Sequence, residues 1–299
     1  MYLGFLTVCL PNVPLEELVV WAKKAGFNGL EVGCWPQKSD RDYQGSCFDV
    51  AKMTAKKAAI IRDIFDKHEM KITSLAYYDN NLHPDAKTRK YIHNHLRKLI
   101  DAAALLGVDS VGTFIGRDPN LNLQDCFPVA QKVFKEHLAY AKKNKVRLMI
   151  ENCPMDGWQK PDMVGNIMCS PENFEKMFKL LPQENFGLNL DPSHLYWMGC
   201  DYVGCVKEFK ERIFHVHAKD TEILPANLGR KGIFGHGWWR YRMPGLGEID
   251  WKKFTCALLE NGYKGVMSIE HEDPIYEGSE EKVKKGLVLG RKYLSNYVI

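Results

Sequence analysis

Short apolar runs alternate with longer amphipathic stretches along the whole chain. Each apolar run has the composition of a β-strand and is followed by a polar turn and a segment with helical periodicity. The pattern repeats eight times. The eight predicted strands are Gly4–Val8, Gly29–Gly33, Lys71–Tyr77, Ser110–Phe114, Arg147–Glu151, Phe186–Asp191, Ile213–Ala218 and Gly265–Glu270.

Helix signals lie between these strands. Gly26, Gly107 and Gly262 supply left-handed C-caps, while Ser170 and Asp250 are typical N-cap residues. Strict alternation of strand and helix implies a parallel sheet, and eight units imply that the sheet closes on itself. No Pro/Ser-rich linker divides the chain. The sequence therefore predicts one α/β domain over residues 1–299, a single (β/α)8 TIM barrel.

Two connections are too long to be simple turns. They are Asp156–Cys169, after the fifth strand, and Asp220–Glu248, after the seventh. Loops that follow barrel strands lie at the catalytic face, and long ones commonly form lids. We therefore expect both to border a functional site.

Composition and charge narrow the class of protein. A typical barrel has about 250 residues, so 299 leaves room for these loops. The 41 basic and 37 acidic residues are scattered, without the dense basic block that favours nucleic acid. The apolar run at the N-terminus stops at Pro11, too early for a membrane span or a secretory signal. We expect a cytoplasmic protein with no nucleic-acid or membrane partner.

Four consecutive strands, the fifth to the eighth, end in a carboxylate or an imidazole. These residues are Glu151, Asp191, His217 and Glu270. One such acid is often only a helix N-cap, but four at the converging ends of barrel strands favour a site. Burying them without partners would be costly, and a divalent cation would pair them all. Three carboxylates and one imidazole suit Mn²⁺, Mg²⁺, Co²⁺ or Zn²⁺.

Other polar residues surround this predicted metal centre. His215 and His217 share a face because side chains alternate along a strand, and His217 is nearer the mouth. His215 is then one layer down, where it either fills the barrel or supports the ligands from behind. Asp220 is assigned the same supporting role. His194, three residues after Asp191, could reach a substrate oxygen or a metal-bound water.

The chain resembles the sugar isomerase/epimerase superfamily of xylose isomerase-like TIM barrels. This superfamily includes ketose 3-epimerases, inosose dehydratases and hydroxypyruvate isomerases. The resemblance covers essentially the whole chain and is specific to the superfamily, without selecting one substrate. The motifs that carry it are Ile150-Glu151-Asn152, Asp191-Pro192-Ser193-His194, His215-Val216-His217-Ala218-Lys219-Asp220, Pro244-Gly245-Leu246-Gly247-Glu248-Ile249-Asp250-Trp251 and Ser268-Ile269-Glu270-His271.

The resemblance implies a function for each part of the predicted centre. Glu151, Asp191, His217 and Glu270 would bind a divalent metal, usually Mn²⁺ in the epimerases, and Glu151 and Glu270 would also be the catalytic acid/base pair. A chelated carbonyl makes the adjacent C–H acidic because the cation stabilises the enediolate. One glutamate would remove the proton, and the other would return it to the opposite face or to the neighbouring carbon. The expected activity is a metal-dependent sugar isomerase or epimerase.

Substrate contacts are predicted from the resemblance and from the second long loop. The residue three past the sixth-strand aspartate touches substrate in the family, which corresponds to His194. A family arginine after the seventh strand has no direct counterpart, and Arg240 or Arg242 is its candidate replacement, binding hydroxyls or phosphate. Trp239, beside Trp238, and Trp35 are candidate platforms for a sugar face. An interface or packing role is the alternative for these aromatic residues.

Other functions fit the same site. One is a lyase or dehydratase acting on 3-keto sugars or glycosides, as in the C-glycoside deglycosidases, whose barrel works with a second, β-rich subunit. Another is phosphodiester hydrolysis as in AP endonucleases, which use three metals and a basic surface. A barrel without catalysis is the last. A small-molecule sugar is the expected partner, with a homo-oligomer or a hetero-subunit complex as further expectations.

Overall fold

The computed structural model describes residues 1–36, 47–155 and 165–298. Eight parallel strands form a closed barrel in which each strand pairs with the next, and the last pairs with the first. The predicted (β/α)8 TIM barrel is thereby confirmed. The barrel strands are β1 (Tyr2–Leu6), β2 (Gly29–Gly33), β3 (Lys71–Ala76), β4 (Ser110–Thr113), β5 (Arg147–Glu151), β6 (Phe186–Leu190), β7 (Ile213–Ala218) and β10 (Val266–Ile269).

Helices fill the connections between the barrel strands. They bury apolar residues against the outside of the barrel, in a core that runs from Leu3 to Leu294. Gly107 closes the third helix in the left-handed conformation, with φ of 72°, as its sequence position predicts. The helices are α1 (Leu15–Lys24), α2 (Ala55–Lys67), α3 (Ala86–Leu106), α4 (Leu123–Lys143), α5 (Pro171–Leu180), α6 (Pro192–Trp197), α7 (Tyr202–Glu208), α8 (Pro225–Lys231), α9 (Trp251–Glu260) and α10 (Glu280–Leu294).

The predicted strands agree closely with the observed ones, and the largest difference is at the first. Its prediction, Gly4–Val8, is shifted by two residues from β1, Tyr2–Leu6. The cause is a 3-10 turn over Thr7–Cys9, in which the Leu10 N–H donates to the Thr7 carbonyl at 3.0 Å. An apolar run alone does not distinguish a buried strand from a buried turn.

The long loop after β7 is an ordered insertion. Its two ends form an antiparallel hairpin, β8 (Asp220–Ile223) with β9 (Trp239–Arg242), and α8 lies between them. The other long loop, predicted over Asp156–Cys169, is described only from Gly165 onward. There the Asn166 amide donates to the Glu151 carbonyl at 3.1 Å, so the loop returns to the end of β5. Within the described residues, every helix is too short or too polar to cross a membrane.

Candidate metal centre

The four predicted ligands meet at one end of the barrel. Glu151 closes β5, His217 lies near the end of β7, and Asp191 and Glu270 directly follow β6 and β10. One ligand atom from each lies within 4.8 Å of the others, and all four residues are buried. The contact between His217 Nδ1 and Glu270 Oε2 is 2.9 Å, and that between His217 Nδ1 and Glu151 Oε1 is 3.7 Å. Parallel strand ends thus converge as expected.

Two atoms of this cluster make no hydrogen bond to the described residues. They are Asp191 Oδ2 and His217 Nδ1, both fully buried. The opposite atom of each side chain is used: Asp191 Oδ1 caps α6 by accepting from the Ser193 N–H at 2.7 Å, and His217 Nε2 contacts Glu31. Buried polar atoms normally make hydrogen bonds, so a buried oxygen and nitrogen of the same cluster that make none fit a cation. The donor set present therefore suits a divalent metal.

A buried carboxylate fixes the orientation of His217 from behind. Glu31, in the middle of β2, accepts from His217 Nε2 at 2.9 Å, and also from the Tyr78 hydroxyl at 2.6 Å and the Ser268 hydroxyl at 2.9 Å. Donation from Nε2 leaves Nδ1 of the same ring as the atom that faces the metal position. Such a carboxylate–histidine pair sets which ring nitrogen binds a metal and how the ring is turned.

His215 lies one layer below His217, as predicted. Its Nδ1 is 3.0 Å from Asn189 Oδ1 and its Nε2 is 3.2 Å from Thr73 Oγ1. Asn189 Nδ2 in turn lies 2.8 Å from His217 Nε2. Burial lowers the pKa of His215 to about 4, and the ring is therefore neutral at pH 7. His215 thus contacts the ligand layer through Asn189, and its supporting role stays a prediction.

A lysine that the sequence analysis did not select lies inside the cluster. Lys219, one residue past β7, is only 2% exposed. Its Nζ lies 2.8 Å from Glu270 Oε2, 3.1 Å from Glu272 Oε2 and 3.3 Å from Asp191 Oδ2. It also lies 4.4 Å from the centre of the Tyr241 ring. A single ammonium thus contacts two of the four proposed metal ligands.

The opposite charges of the cluster shift the pKa values of its side chains so that they stay ionised. Burial raises the pKa of Glu270, but Lys219 and His217 outweigh burial and hold that pKa well below its usual range. Burial and Glu270 raise the pKa of Glu151, yet the neighbouring His194 and His217 rings leave that pKa lowered. Burial lowers the pKa of Lys219, but the surrounding carboxylates raise it well above its ordinary value. The glutamates are therefore carboxylates, the form that binds metal or accepts a proton.

His194 and a tyrosine from the insertion complete the rim of the cluster. His194 Nε2 lies 3.2 Å from Glu151 Oε1 and 3.4 Å from Asp191 Oδ2. On its other side, His194 Nδ1 lies 2.8 Å from the Tyr241 hydroxyl. The hairpin of the insertion thereby supplies a polar group directly to the centre. The predicted contact of His194 with substrate is compatible with this position and is not tested by it.

A cavity opens beside the centre and is lined both by apolar side chains and by the charged cluster. Trp35, predicted as a sugar platform, lines it. Trp239 instead stacks on Trp197, with ring centres 4.6 Å apart and planes 10° apart, outside this lining. The lining residues within the described chain are Leu6, Val8, Trp35, Tyr78, Phe114, Glu151, Cys153, Met155, Lys219, Glu270 and Glu272.

The two arginines of the insertion form ion pairs within the protein. Arg240 Nε contacts Glu222 Oε2 at 2.7 Å, and Arg242 Nε contacts Asp273 Oδ2 at 3.0 Å. Arg242 also pairs closely with Glu222. Neither arginine lines the cavity among its described walls. Substrate contact by either arginine therefore requires that these pairs open, and it stays a prediction.

Asp220 lies at the base of the insertion and uses both carboxylate oxygens there. Oδ1 accepts from the Thr221 and Ile249 N–H groups at 2.9 and 3.0 Å. Oδ2 accepts from the Gly245 N–H at 2.9 Å and from Trp251 Nε1 at 2.8 Å. These bonds tie the start of the insertion to its return. Any support that Asp220 gives to the metal ligands is exerted through the insertion.

Three residues of the centre were missed in the sequence analysis. They are Glu31 and Lys219, which are buried in or just after apolar barrel strands, and Tyr241, which is half-buried in β9. A charged residue inside a predicted buried strand was the available signal for Glu31, since burial without a partner is costly. The alternating pattern of β9 was the signal for Tyr241, because its two arginines point the opposite way.

The barrel and its four converging ligands define a class of TIM-barrel protein with a candidate divalent-metal centre at the mouth. Residues 19–293 match the family described as xylose isomerase-like TIM barrel. The chain belongs to this family. The resemblance stated from the sequence motifs is thereby confirmed.

Individual relatives cover nearly the full chain. The uncharacterized protein YfiH of Bacillus subtilis (strain 168) is 26% identical, covering 91% of this chain and 93% of its own. The inosose isomerase of Bacillus velezensis (strain FZB42) is 24% identical, and the match covers 96% of this chain and 95% of that protein. Among solved structures, the IolI protein with a binding zinc atom has a TM-score of 0.73 at 20% identity and covers 99% of both chains. The structural likeness reflects the shared fold.

Proposed function

We propose that the protein is a metal-dependent isomerase or epimerase of a polyhydroxylated ketone, a sugar or a cyclic inosose. The observation that carries the proposal is the pair Glu151 and Glu270. Both carboxylates are buried, both line the same cavity, and both have an oxygen among the four candidate ligand atoms. An enzyme that moves a proton next to a carbonyl needs such a pair.

The metal would be held by the four strand-end residues. Asp191 Oδ2 and His217 Nδ1 have no hydrogen bond to the described residues, which supports their use as ligands. When bound, a divalent cation acts as a Lewis acid that stabilises the negative charge developing on a carbonyl and its neighbouring hydroxyl. We propose Mn²⁺ as the preferred ion. The zinc atom of the IolI structure supports a divalent ion of this size class at the same fold.

Proton transfer would fall to the two glutamates. A carboxylate oxygen of one takes the proton from the carbon beside the substrate carbonyl, leaving an enediolate. The other glutamate first takes up a proton from solvent. It then returns that proton to the opposite face of that carbon, which is epimerisation, or to the neighbouring carbon, which is isomerisation. His194, 3.2 Å from Glu151 Oε1, would orient the Glu151 carboxylate.

The cavity and one relative suggest the class of substrate. Trp35, Phe114 and Met155 give the cavity apolar walls opposite the charged cluster, as suits a ring with one apolar face. The alignment with the inosose isomerase covers 96% of this chain. The name of that enzyme indicates that its substrate is a cyclic polyhydroxy ketone. We therefore propose inososes and free ketoses as the first substrates to test.

The experiment is deuterium exchange from solvent into substrate, followed by NMR. The Mn²⁺-loaded protein is incubated with a panel of inososes, ketoses and 3-keto glycosides. We expect deuterium at the carbon next to the carbonyl, with the rate reduced by about 100-fold or more in both Glu151→Gln and Glu270→Gln. Glu175→Gln, an exposed glutamate on α5, is the matched control and should exchange normally.

The accompanying product decides among the activities of this family. An epimer or a shifted carbonyl supports the proposal. Loss of water or release of an aglycone, with exchange still dependent on both glutamates, would replace it by a lyase or dehydratase on 3-keto sugars. No exchange on the entire panel despite stoichiometric bound Mn²⁺ would contradict proton transfer as the function.

A further inference from the structure

The buried ammonium of Lys219 contacts the same oxygens that the metal needs. Glu270 Oε2, which faces His217 Nδ1 at 2.9 Å, lies 2.8 Å from Lys219 Nζ. Asp191 Oδ2, which accepts no hydrogen bond from the described residues, lies 3.3 Å from the same nitrogen. In this structure Lys219 therefore occupies part of the coordination space of the proposed ion.

Lys219 also has a partner outside the ligand set. Glu272 Oε2 lies 3.1 Å from Nζ, and Glu272 is not one of the four residues assigned to the metal. The Tyr241 ring packs against the ammonium at 4.4 Å, a cation–π contact. The lysine can thus give up Asp191 and Glu270 without losing all of its neutralising contacts.

We propose that Lys219 and the divalent metal share these carboxylates in turn. In the metal-free protein, the ammonium neutralises Asp191 and Glu270. When the metal takes these oxygens, Lys219 keeps Glu272 and directs a freed N–H toward the cavity, which it lines, to bind a substrate oxygen. Lys219 is then a built-in competitor for the metal and a substrate-binding group of the loaded enzyme. The substrate half of this inference rests on the proposed function, but the metal half does not.

The two roles give Lys219 opposite effects that a purely structural residue would not show. A positive charge beside a dication opposes its binding through Coulomb repulsion and through competition for the same oxygens. Removing that charge should therefore tighten metal binding. It should also weaken substrate binding, because a donor to a substrate oxygen is lost.

The test is Mn²⁺ titration of the chelator-treated protein by calorimetry, without any sugar. For Lys219→Met, which keeps the unbranched side chain without its terminal ammonium, we expect Mn²⁺ to bind about tenfold more tightly or better. Lys219→Arg should stay close to the parent affinity. Lys253→Met is the control, because Lys253 is an exposed lysine paired with Asp250 and its loss should leave the affinity unchanged.

A second variant protects the test against a folding defect in Lys219→Met. Glu272→Gln removes the partner that Lys219 retains when the metal binds, so the ammonium should hold Asp191 and Glu270 more strongly. We expect weaker Mn²⁺ binding by about threefold to tenfold, the opposite direction. Unchanged or weaker binding in a folded Lys219→Met, or tighter binding in Glu272→Gln, would overturn the sharing of carboxylates.

The substrate half is measured at saturating Mn²⁺ with whichever sugar exchanges deuterium. For Lys219→Met we expect KM to rise by about tenfold or more, since a hydrogen bond from a charged donor is lost. An unchanged KM would remove the substrate role while leaving the competition with metal intact. If no sugar exchanges in the parent protein, the proposed function fails, whereas the Mn²⁺ titrations still decide the competition.

Discussion

The barrel mouth and the 220–248 insertion contribute to the same centre by different means. The four ligands of the mouth stand on neighbouring parallel strands, whose ladder of backbone hydrogen bonds fixes their spacing. The insertion reaches the centre with the single hydroxyl of Tyr241, at the end of a two-stranded hairpin. Under the proposed function, the barrel would determine which ion binds and which reaction follows, and the insertion would adjust how a substrate is held.

The largest effect on Mn²⁺ affinity should come from substitution of a candidate metal ligand at the barrel mouth. Asp191→Asn removes the negative charge of the Asp191 carboxylate at nearly constant side-chain volume. We expect Mn²⁺ affinity to fall by more than the roughly 10–100-fold caused by loss of an outer hydrogen-bonding partner. Calorimetric titration of the chelator-treated variant measures this. An affinity within threefold of the parent would remove Asp191 from the ligand set.

A smaller loss of Mn²⁺ affinity should follow from substitution of Glu31, which contacts the metal position only through His217. Glu31→Gln keeps the shape of the side chain but removes the negative charge that faces His217 Nε2. We expect Mn²⁺ affinity to fall by about 10–100-fold. Ser268→Ala is the matched control, because it removes another partner of Glu31 without touching His217. Equal effects of the two variants would indicate general loosening of the barrel interior instead.

The insertion should influence turnover and leave metal binding alone. Tyr241→Phe removes the hydroxyl that lies 2.8 Å from His194 Nδ1. The net loss of one such hydrogen bond, about 0.5–1.5 kcal/mol, corresponds to a decrease of about twofold to tenfold in kcat/KM. Parallel titration with Mn²⁺ should give the parent affinity. A large fall in metal affinity would show that the insertion helps to build the metal centre.

The smallest effect is expected for Arg240, whose ion pair with Glu222 is partly exposed. Such pairs contribute about 0–1 kcal/mol to the free energy of unfolding, so Arg240→Met should change the midpoint of thermal unfolding only slightly. The KM of Arg240→Met shows whether Arg240 contacts substrate or only pairs with Glu222. An unchanged KM fits an arginine committed to Glu222, whereas a rise of tenfold would restore Arg240 as the counterpart of the family arginine.

The sequence predicted the barrel and the meeting of the four candidate ligands because both follow from position along a strand. Where an apolar run of β5 or β10 gives way to a glutamate, the topology of parallel strands alone brings the side chains together. Glu31 and Lys219 escaped prediction because their roles depend on partners that only the closed barrel selects. Glu31 and His217, for instance, are 186 positions apart. The arginines of β9 show the same limit. Glu222 lies opposite Arg240 through the hairpin register, whereas Asp273, which follows β10, reaches Arg242 only in the folded barrel.

The four hydrogen bonds of Asp220 give the insertion the character of an exchangeable module. They close the loop at its base, so the chain between β8 and β9 can vary in length and composition while β7 and α9 keep their places. Natural variation or laboratory grafting can therefore replace α8 and the segment after it without rebuilding the barrel. We therefore expect that changes at the tip of the loop would leave the four candidate ligands in place.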